Sequence, residues 1–219
     1  TGSPAAAFGL QIHQGPASEA WYKDLMIQVL PMSTQLGDRT ALDRKVQSVI
    51  DEVDKTCRQT TVYMIGSEKG KRLAELVRQK KPKLVVECGT AIGYSSLWIA
   101  RELKAAGHGK LITIEIDAAR SKQARENFRR AGLDDVVDAR VGDARRLVRE
   151  INEPVDFLFI DCDYANYSPC LAGIEDRLAD GAVVVADNVG IGAAGMRDYL
   201  DQVRTRHHSE TEWFDIDLP

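Results

Sequence analysis

Hydrophobic and polar positions along the chain follow two rhythms. As far as residue 80 they recur at helical spacing. Leu25, Ile27, Val29 and Leu30 predict a helix from Trp21 to about Leu36, interrupted by Pro31. Leu42, Val46, Val49, Ile50 and Val53 make one apolar face over 41–59, and Leu73, Leu76 and Val77 make another over 68–80. Residues 1–20, rich in Ala, Gly, Ser and Gln, read as a loose arm. From Pro82 the rhythm changes. Short apolar runs at 84–86, 111–114, 136–141, 155–160 and 182–186 alternate with helical segments at 95–106, 118–131, 144–151, 168–178 and 194–206, and 213–216 opens a sixth strand. This alternation builds βαβ units. The expected fold is α/β: a doubly wound, mostly parallel sheet with helices on both faces, preceded by N-terminal helices. Residues 1–60 form the arm and helices, a substrate lid or oligomer contact, and residues 61–219 form the ligand-binding domain.

Right-handed crossovers put every strand's carboxyl end on one edge of the sheet, where ligands gather. That edge carries five acids: Glu87, Glu115, Asp143, Asp161 and Asp187. Helix N-caps account for one or two of them. The remainder point to a site.

Composition narrows the choice. At 219 residues, 44% hydrophobic and 28% charged, the chain suits one medium-sized globular domain. Its net charge of −4 disfavours a protein that coats nucleic acid through net basic charge. No apolar run approaches the roughly 20 residues of a membrane span. Thr1-Gly2-Ser3-Pro4 lacks the basic-then-apolar pattern of a signal peptide. The four cysteines form no CxxC pair, and Cys88 and Cys162 flank apolar runs. Reduced thiols and a cytoplasmic location are expected.

The first strand turn reads Glu87-Cys88-Gly89-Thr90-Ala91-Ile92-Gly93-Tyr94-Ser95. Its two glycines allow a sharp turn and close approach to a ligand. Three residues separate them, which is not the GxGxxG of dinucleotide folds. Glu87 repels a phosphate and suits a cationic ligand such as an aminoacyl sulfonium. Glu115, 28 residues on, is placed to hold both ribose hydroxyls. Asp143, after Gly142, can accept from an adenine amino group. Glycine turn, ribose acid and Gly142-Asp143, in that order, indicate S-adenosylmethionine (SAM).

Val85 to Ser96, Leu111 to Ile116 and Ala186-Asp187-Asn188-Val189 resemble the small metal-dependent O-methyltransferases, the group of catechol and caffeoyl-CoA O-methyltransferases. The similarity runs from about Met64 to Arg204. It implies the Rossmann-like fold of class I SAM methyltransferases, with Met64 to Gly70 covering the methionine end of the cofactor. It also implies SAM contacts at Ile65, Glu87, Gly89, Tyr94, Ser95, Glu115, Ile116, Asp143, Ala144 and Asp163. Thr90 and Gly142 within the turns, and Asp161 beside them, complete the expected cofactor set.

Asp161 ends one strand, and Asp187-Asn188 ends the next. Two carboxylates and an amide oxygen are hard ligands that suit Mg²⁺, with Mn²⁺ or Ca²⁺ as substitutes. The resemblance places a divalent ion on the same three residues. A dication lowers the pKa of a substrate hydroxyl and orients it for attack on the sulfonium methyl. The implied substrate is a small catechol-like or phenolic compound, with Tyr63, Tyr164 and Asn188 facing it. Asp161 and Tyr164 are the expected catalytic residues.

Two departures from the family stand out. Relatives carry a lysine base three residues after the first metal aspartate, where this chain has Tyr164, a poor base near its ordinary pKa of about 10. Stacking on an aromatic substrate is the favoured role for Tyr164. Relatives also close the sheet with a further antiparallel strand and a hairpin, which are not read here before Pro219. A tRNA hydroxyuridine O-methyltransferase and a SAM-binding protein with little turnover stand as alternatives. A homodimer using residues 1–40 is compatible with the resemblance. The basic run Arg72, Arg78, Lys80, Lys81 and Lys83 reads as a solvated helix face, and His207-His208 as a helix end.

Overall fold

A computed structural model describes residues 6–12, 36–60 and 62–215. Seven strands form one sheet: β1 (Ala6–Ile12), β2 (Leu84–Cys88), β3 (Lys110–Glu115), β4 (Val137–Val141), β5 (Val155–Ile160), β6 (Leu178–Ala186) and β7 (His208–Phe214). Their spatial order is β4-β3-β2-β5-β6-β1-β7, and each strand pairing described is parallel. From β2 the chain winds outward through β3 to β4, then returns to lay β5 on the other side of β2. The carboxyl ends of β2 and β5 therefore bound the crevice at the switch point.

The helices are α1 (Leu36–Thr60), α2 (Gly66–Lys80), α3 (Tyr94–Ala106), α4 (Ala118–Ala131), α5 (Ala144–Leu147), α6 (Tyr167–Ile174) and α7 (Arg197–Arg206). They bury both faces of the sheet, which explains why the strands read as continuous apolar runs. Along β5, Phe157 and Phe159 join the core under α1 to α4, while Leu158 and Ile160 join the core under α6 and α7. Along β2, Val85 faces the first core, and Val86 and Cys88 face the second. Trp98 is buried in the first core, as a residue on the inner face of α3 must be.

Two expectations are corrected. Residues 6–12 are not a loose arm: they pair in register with β6 (Phe8 opposite Val185) and with β7 (Gln11 opposite Trp213). Val46, Val49, Ile50, Val53 and Cys57 of α1 belong to the main core, and α1 packs on α3 and α4. The last strand spans 208–214 rather than 213–216, and it is parallel to its neighbour. The helix expected over 21–36 lies outside the described residues apart from its final residue, as does most of the arm assigned to dimer contacts. The basic run is exposed in part, but Arg72 is paired with Glu212 and Glu75, and Arg78 with the buried Glu102.

Candidate active site

The turn after β2 is built around close backbone contact. Gly89 has φ +105°, and a Cβ there would lie 1.8 Å from the Asp161 carbonyl oxygen, so the two strand ends meet with no room for a side chain. Ala91, at φ 46°, takes the left-handed region without being glycine. Its amide donates to Glu115 Oε2 at 2.7 Å, and the Asp117 amide donates to Oε1 at 2.9 Å. One lone pair on each Glu115 oxygen is thus fixed by backbone. The carboxylate is held nearly buried at the rim with its remaining lone pairs available to a diol.

Glu87 is used otherwise than a free anion would be. It is fully buried, and its oxygens accept from Ser95 Oγ and Thr113 Oγ1, each at 2.5 Å, and from Ser96 Oγ. Burial raises its pKa, and the three hydroxyls pull it back. Its place is beneath the glycine turn, which it ties to β3 and to the start of α3. Thr90 also points inward, its Oγ1 2.5 Å from Thr113 Oγ1. Only its backbone is left to face a ligand.

The adenine side follows the sequence in part. Ile116 is 73% exposed at the end of β3, an apolar surface beside Glu115. Gly142 donates its amide to the Glu115 carbonyl at 2.9 Å, and Ala144 opens α5. Asp143 is the N-cap of α5, accepting from the Arg145 amide at 2.9 Å, and it forms a two-pronged pair with the Arg145 guanidinium. The Arg145 hydrogen bonds hold its pKa down. Here the capping role is real, and any base contact shares the carboxylate with Arg145. Ile65 and Tyr94 are buried, Tyr94 edge-on to Trp98, and Asp163 is exposed.

Asp161 and Asp187 end the neighbouring strands β5 and β6 and sense each other's charge. Among the described residues no donor reaches the Asp161 carboxyl, and its pKa is pushed up to about 8, chiefly by burial and then by Asp187. Asp187 is 2% exposed. Burial raises its pKa too, opposed by a lysine the sequence reading left without a role: Lys69 Nζ lies 2.6 and 2.8 Å from its two oxygens. Lys69 sits one helical turn before Leu73 on the buried face of α2, and that periodicity was the available signal. Asn188 turns the chain at φ 59°.

Tyr164 is 39% exposed, and its ring rests on a glycine-bearing loop. A Cβ on Gly192 or Gly195 would come within 2.8 or 3.1 Å of it. It packs edge-on to Tyr167, whose hydroxyl donates to the Asp187 carbonyl at 3.1 Å. Burial and the charges of Asp161 and Asp187 raise the Tyr164 pKa, so its hydroxyl keeps its proton at neutral pH. Tyr63 and Ile191 are exposed, at 75% and 59%. Among the described residues no three His, Cys, Asp or Glu side chains converge to share a metal, so any ion here relies on two carboxylates and an amide.

Residues 86–189 match a family model described as a methyltransferase domain. The chain is 35% identical over 168 residues to a Mycobacterium tuberculosis protein named "Probable O-methyltransferase", covering 71% of each chain. It is 36% identical over 129 residues to a catechol O-methyltransferase of Niastella koreensis, spanning 57% of this chain and 58% of that one. Among solved structures it resembles the O-methyltransferase TomG from Streptomyces achromogenes, involved in tomaymycin synthesis and solved with SAM. That match has TM-score 0.67, 26% identity, and coverage of 72% of this chain and 78% of that one. Identity of the first kind, over that share of both chains, places the protein in the SAM-dependent O-methyltransferase family.

Proposed function

We propose that the protein methylates a hydroxyl of a small catechol-like or phenolic substrate, using SAM and a divalent ion, Mg²⁺ or in its place Mn²⁺ or Ca²⁺. The observation that carries the reading is the Asp161 carboxyl, part-buried just past the end of β5. It lacks a hydrogen-bond donor among the described residues, and it lies beside Asp187 where the glycine turn closes on β5. An unpaired carboxylate beside a second one calls for a cation. Asp161, Asp187 and the Asn188 amide are an all-oxygen donor set that fits a hard dication.

When bound, such an ion acts as Lewis acid and template, lowering the pKa of a substrate hydroxyl. Bound at this rim, SAM would supply the methyl group and leave as S-adenosylhomocysteine, the hydroxyl proton going to solvent. The chain's own residues do the positioning. Glu115, braced by the Ala91 and Asp117 amides, is set to hold a ribose diol. Ile116 and Ala144 offer apolar contact to adenine, and Gly142 and Asp143 flank it. Ile65, Gly89, Thr90, Tyr94 and Ser95 shape the methionine end, with Glu87 holding the turn in place. On the acceptor side the exposed ring of Tyr164 offers a face suited to a planar ring, and Tyr63 is assigned to the same substrate. Positioning of this kind supplies much of the rate in a group transfer.

The test is a methyl-transfer assay with labelled SAM. It runs over catechols, hydroxycinnamoyl thioesters and hydroxylated or unmodified tRNA, each with Mg²⁺ and with chelator. Product is expected from a vicinal-diol aromatic only when the ion is present. Turnover indifferent to chelator would remove the metal from the reading, and turnover confined to tRNA would replace the substrate.

A further inference from the structure

Lys69 is the charged group in the crevice that the mechanism leaves unused. It lies 118 residues from Asp187 along the chain, yet its ammonium contacts both oxygens of that carboxylate at 2.6 and 2.8 Å. Both side chains are buried, 4% and 3% exposed. The two contacts place the ammonium across the open mouth of the carboxylate, the side from which any cation would approach both oxygens.

Packing alone does not account for it. The neighbouring inward positions of α2 are Leu73, Leu76 and Val77, and a methionine at 69 would continue that face. Burying an ammonium costs several kcal/mol before its partner repays it, and hydrophobic replacements of buried pairs are often neutral. What an ammonium does here, and a methionine cannot, is neutralise one of two adjacent carboxylates. The other, Asp161, has no donor among the described residues, and Glu87 is already enclosed by three hydroxyls. The pocket therefore has two acids and one built-in positive charge.

We infer that Lys69 is the resident cation of this pocket, holding Asp187 in place when no divalent ion is bound and competing with that ion for the same carboxylate. The inference rests on the reading of Asp161, Asp187 and Asn188 as the ion's ligands. It makes the ion weakly held and exchangeable in the native protein. Two cations sharing one carboxylate at low dielectric repel each other strongly, which fixes the direction of the effect.

The experiment is Mn²⁺ binding to the full chain without SAM or substrate, followed by the electron-spin-resonance signal of the free ion and by calorimetry. Native protein, Lys69→Met, Lys69→Arg and Asp161→Ala are compared. Lys69→Met should bind Mn²⁺ about tenfold or more tightly than the native chain, and Lys69→Arg should stay near native because its charge is kept. Lys69→Met should also lose thermal stability in chelator and regain it with Mn²⁺, while the native melting temperature moves little. If Lys69→Met does not fold, Lys69→Gln, neutral but still a donor, is read in the same way. Equal or weaker Mn²⁺ binding by the neutral variant overturns the inference. If Asp161→Ala still abolishes binding in that case, the metal reading survives alone; silence from every variant overturns both.

Discussion

Asp161 offers the sharpest physical test, made on the metal-free protein. The residue is part-buried, its carboxyl has no donor among the described residues, and desolvation followed by the Asp187 charge pushes its pKa up to about 8. Lys69 offsets part of that, and Glu87 adds to it. In the unfolded chain the same group titrates near 4. Between those values the folded state keeps a proton that the unfolded state has released. The stabilisation is therefore fully present below about pH 4 and is lost as pH rises towards about 8. Across the middle of that window one such group contributes a slope of about −1.4 kcal/mol per pH unit, or about 2.7 kcal/mol between pH 5 and pH 7. Asp161→Asn keeps the shape and removes the titration. The cost of its part-buried amide does not vary with pH, so the informative quantity is the change in the difference and not its level. Burial raises the Glu87 and Asp187 pKa values as well, so both proteins slope; because Asp187 and Asp161 sense each other, the difference between the two curves reads that pair. Urea unfolding in chelator, with a common m value, should show the variant gaining about 2–3 kcal/mol on the native chain from pH 5 to pH 7. Added Mg²⁺ should flatten the native curve, because the ion binds the ionised form. Parallel curves for the two proteins would refute the assignment of Asp161 as an acid that needs a cation.

Two further outcomes are expected. Glu115→Ala should weaken SAM binding by about 1–3 kcal/mol, since it removes an acceptor already aimed by the Ala91 and Asp117 amides; unchanged calorimetric affinity would take the ribose away from Glu115. Tyr164→Phe should keep its rate within a few-fold, whereas loss of a true general base costs about 10²- to 10⁴-fold. A loss on that larger scale, in a steady-state assay on the preferred acceptor, would make the hydroxyl catalytic despite its raised pKa.

The sheet was legible where burial dictates the residue. β2, β3 and β5 are covered on both faces, so Val-, Ile- and Phe-rich runs of five or six residues had one reading, and their observed bounds differ from it by at most two residues. The edges were not legible. Leu178-Ala179-Asp180-Gly181 opens β6, but Asp180 and Gly181 are exposed, and the β5–β6 register shifts between Val155 and Phe157. Pairing makes that segment a strand, and no apolar pattern marks it. β7 is polar and mostly exposed, His-Ser-Glu-Thr-Glu ahead of Trp213, so its strand character is likewise set by its partner. Helix ends drifted for a related reason. Val148–Glu150, Glu175–Arg177 and Ala193–Gly195 are short 3₁₀ turns that sequence periodicity had merged into the helices beside them.

The site divides in the same way between what chain order can carry and what only the fold creates. Acids at strand ends follow from topology, since parallel strands deliver their carboxyl ends to one rim whatever the loops do; Glu115, Asp161 and Asp187 could be grouped from spacing alone. Which of the acids is free could not. Glu87 and Asp143 look equivalent to Asp161 in sequence, but Ser95, Ser96 and Thr113 enclose the first and Arg145 pairs with the second. Those donors arrive from α3, β3 and α5, and their reach depends on side-chain direction across elements. Lys69 is the extreme case. Its position on the buried face of α2 was readable from the repeat that includes Leu73, yet a lysine there is ordinarily taken to extend its ammonium out to solvent. Asp187 reverses that expectation by offering a buried carboxylate at the end of a strand 118 residues away. The charge balance of the crevice thus rests on one ion pair between helix and sheet, and the affinity for a divalent ion is where that pairing should be measurable.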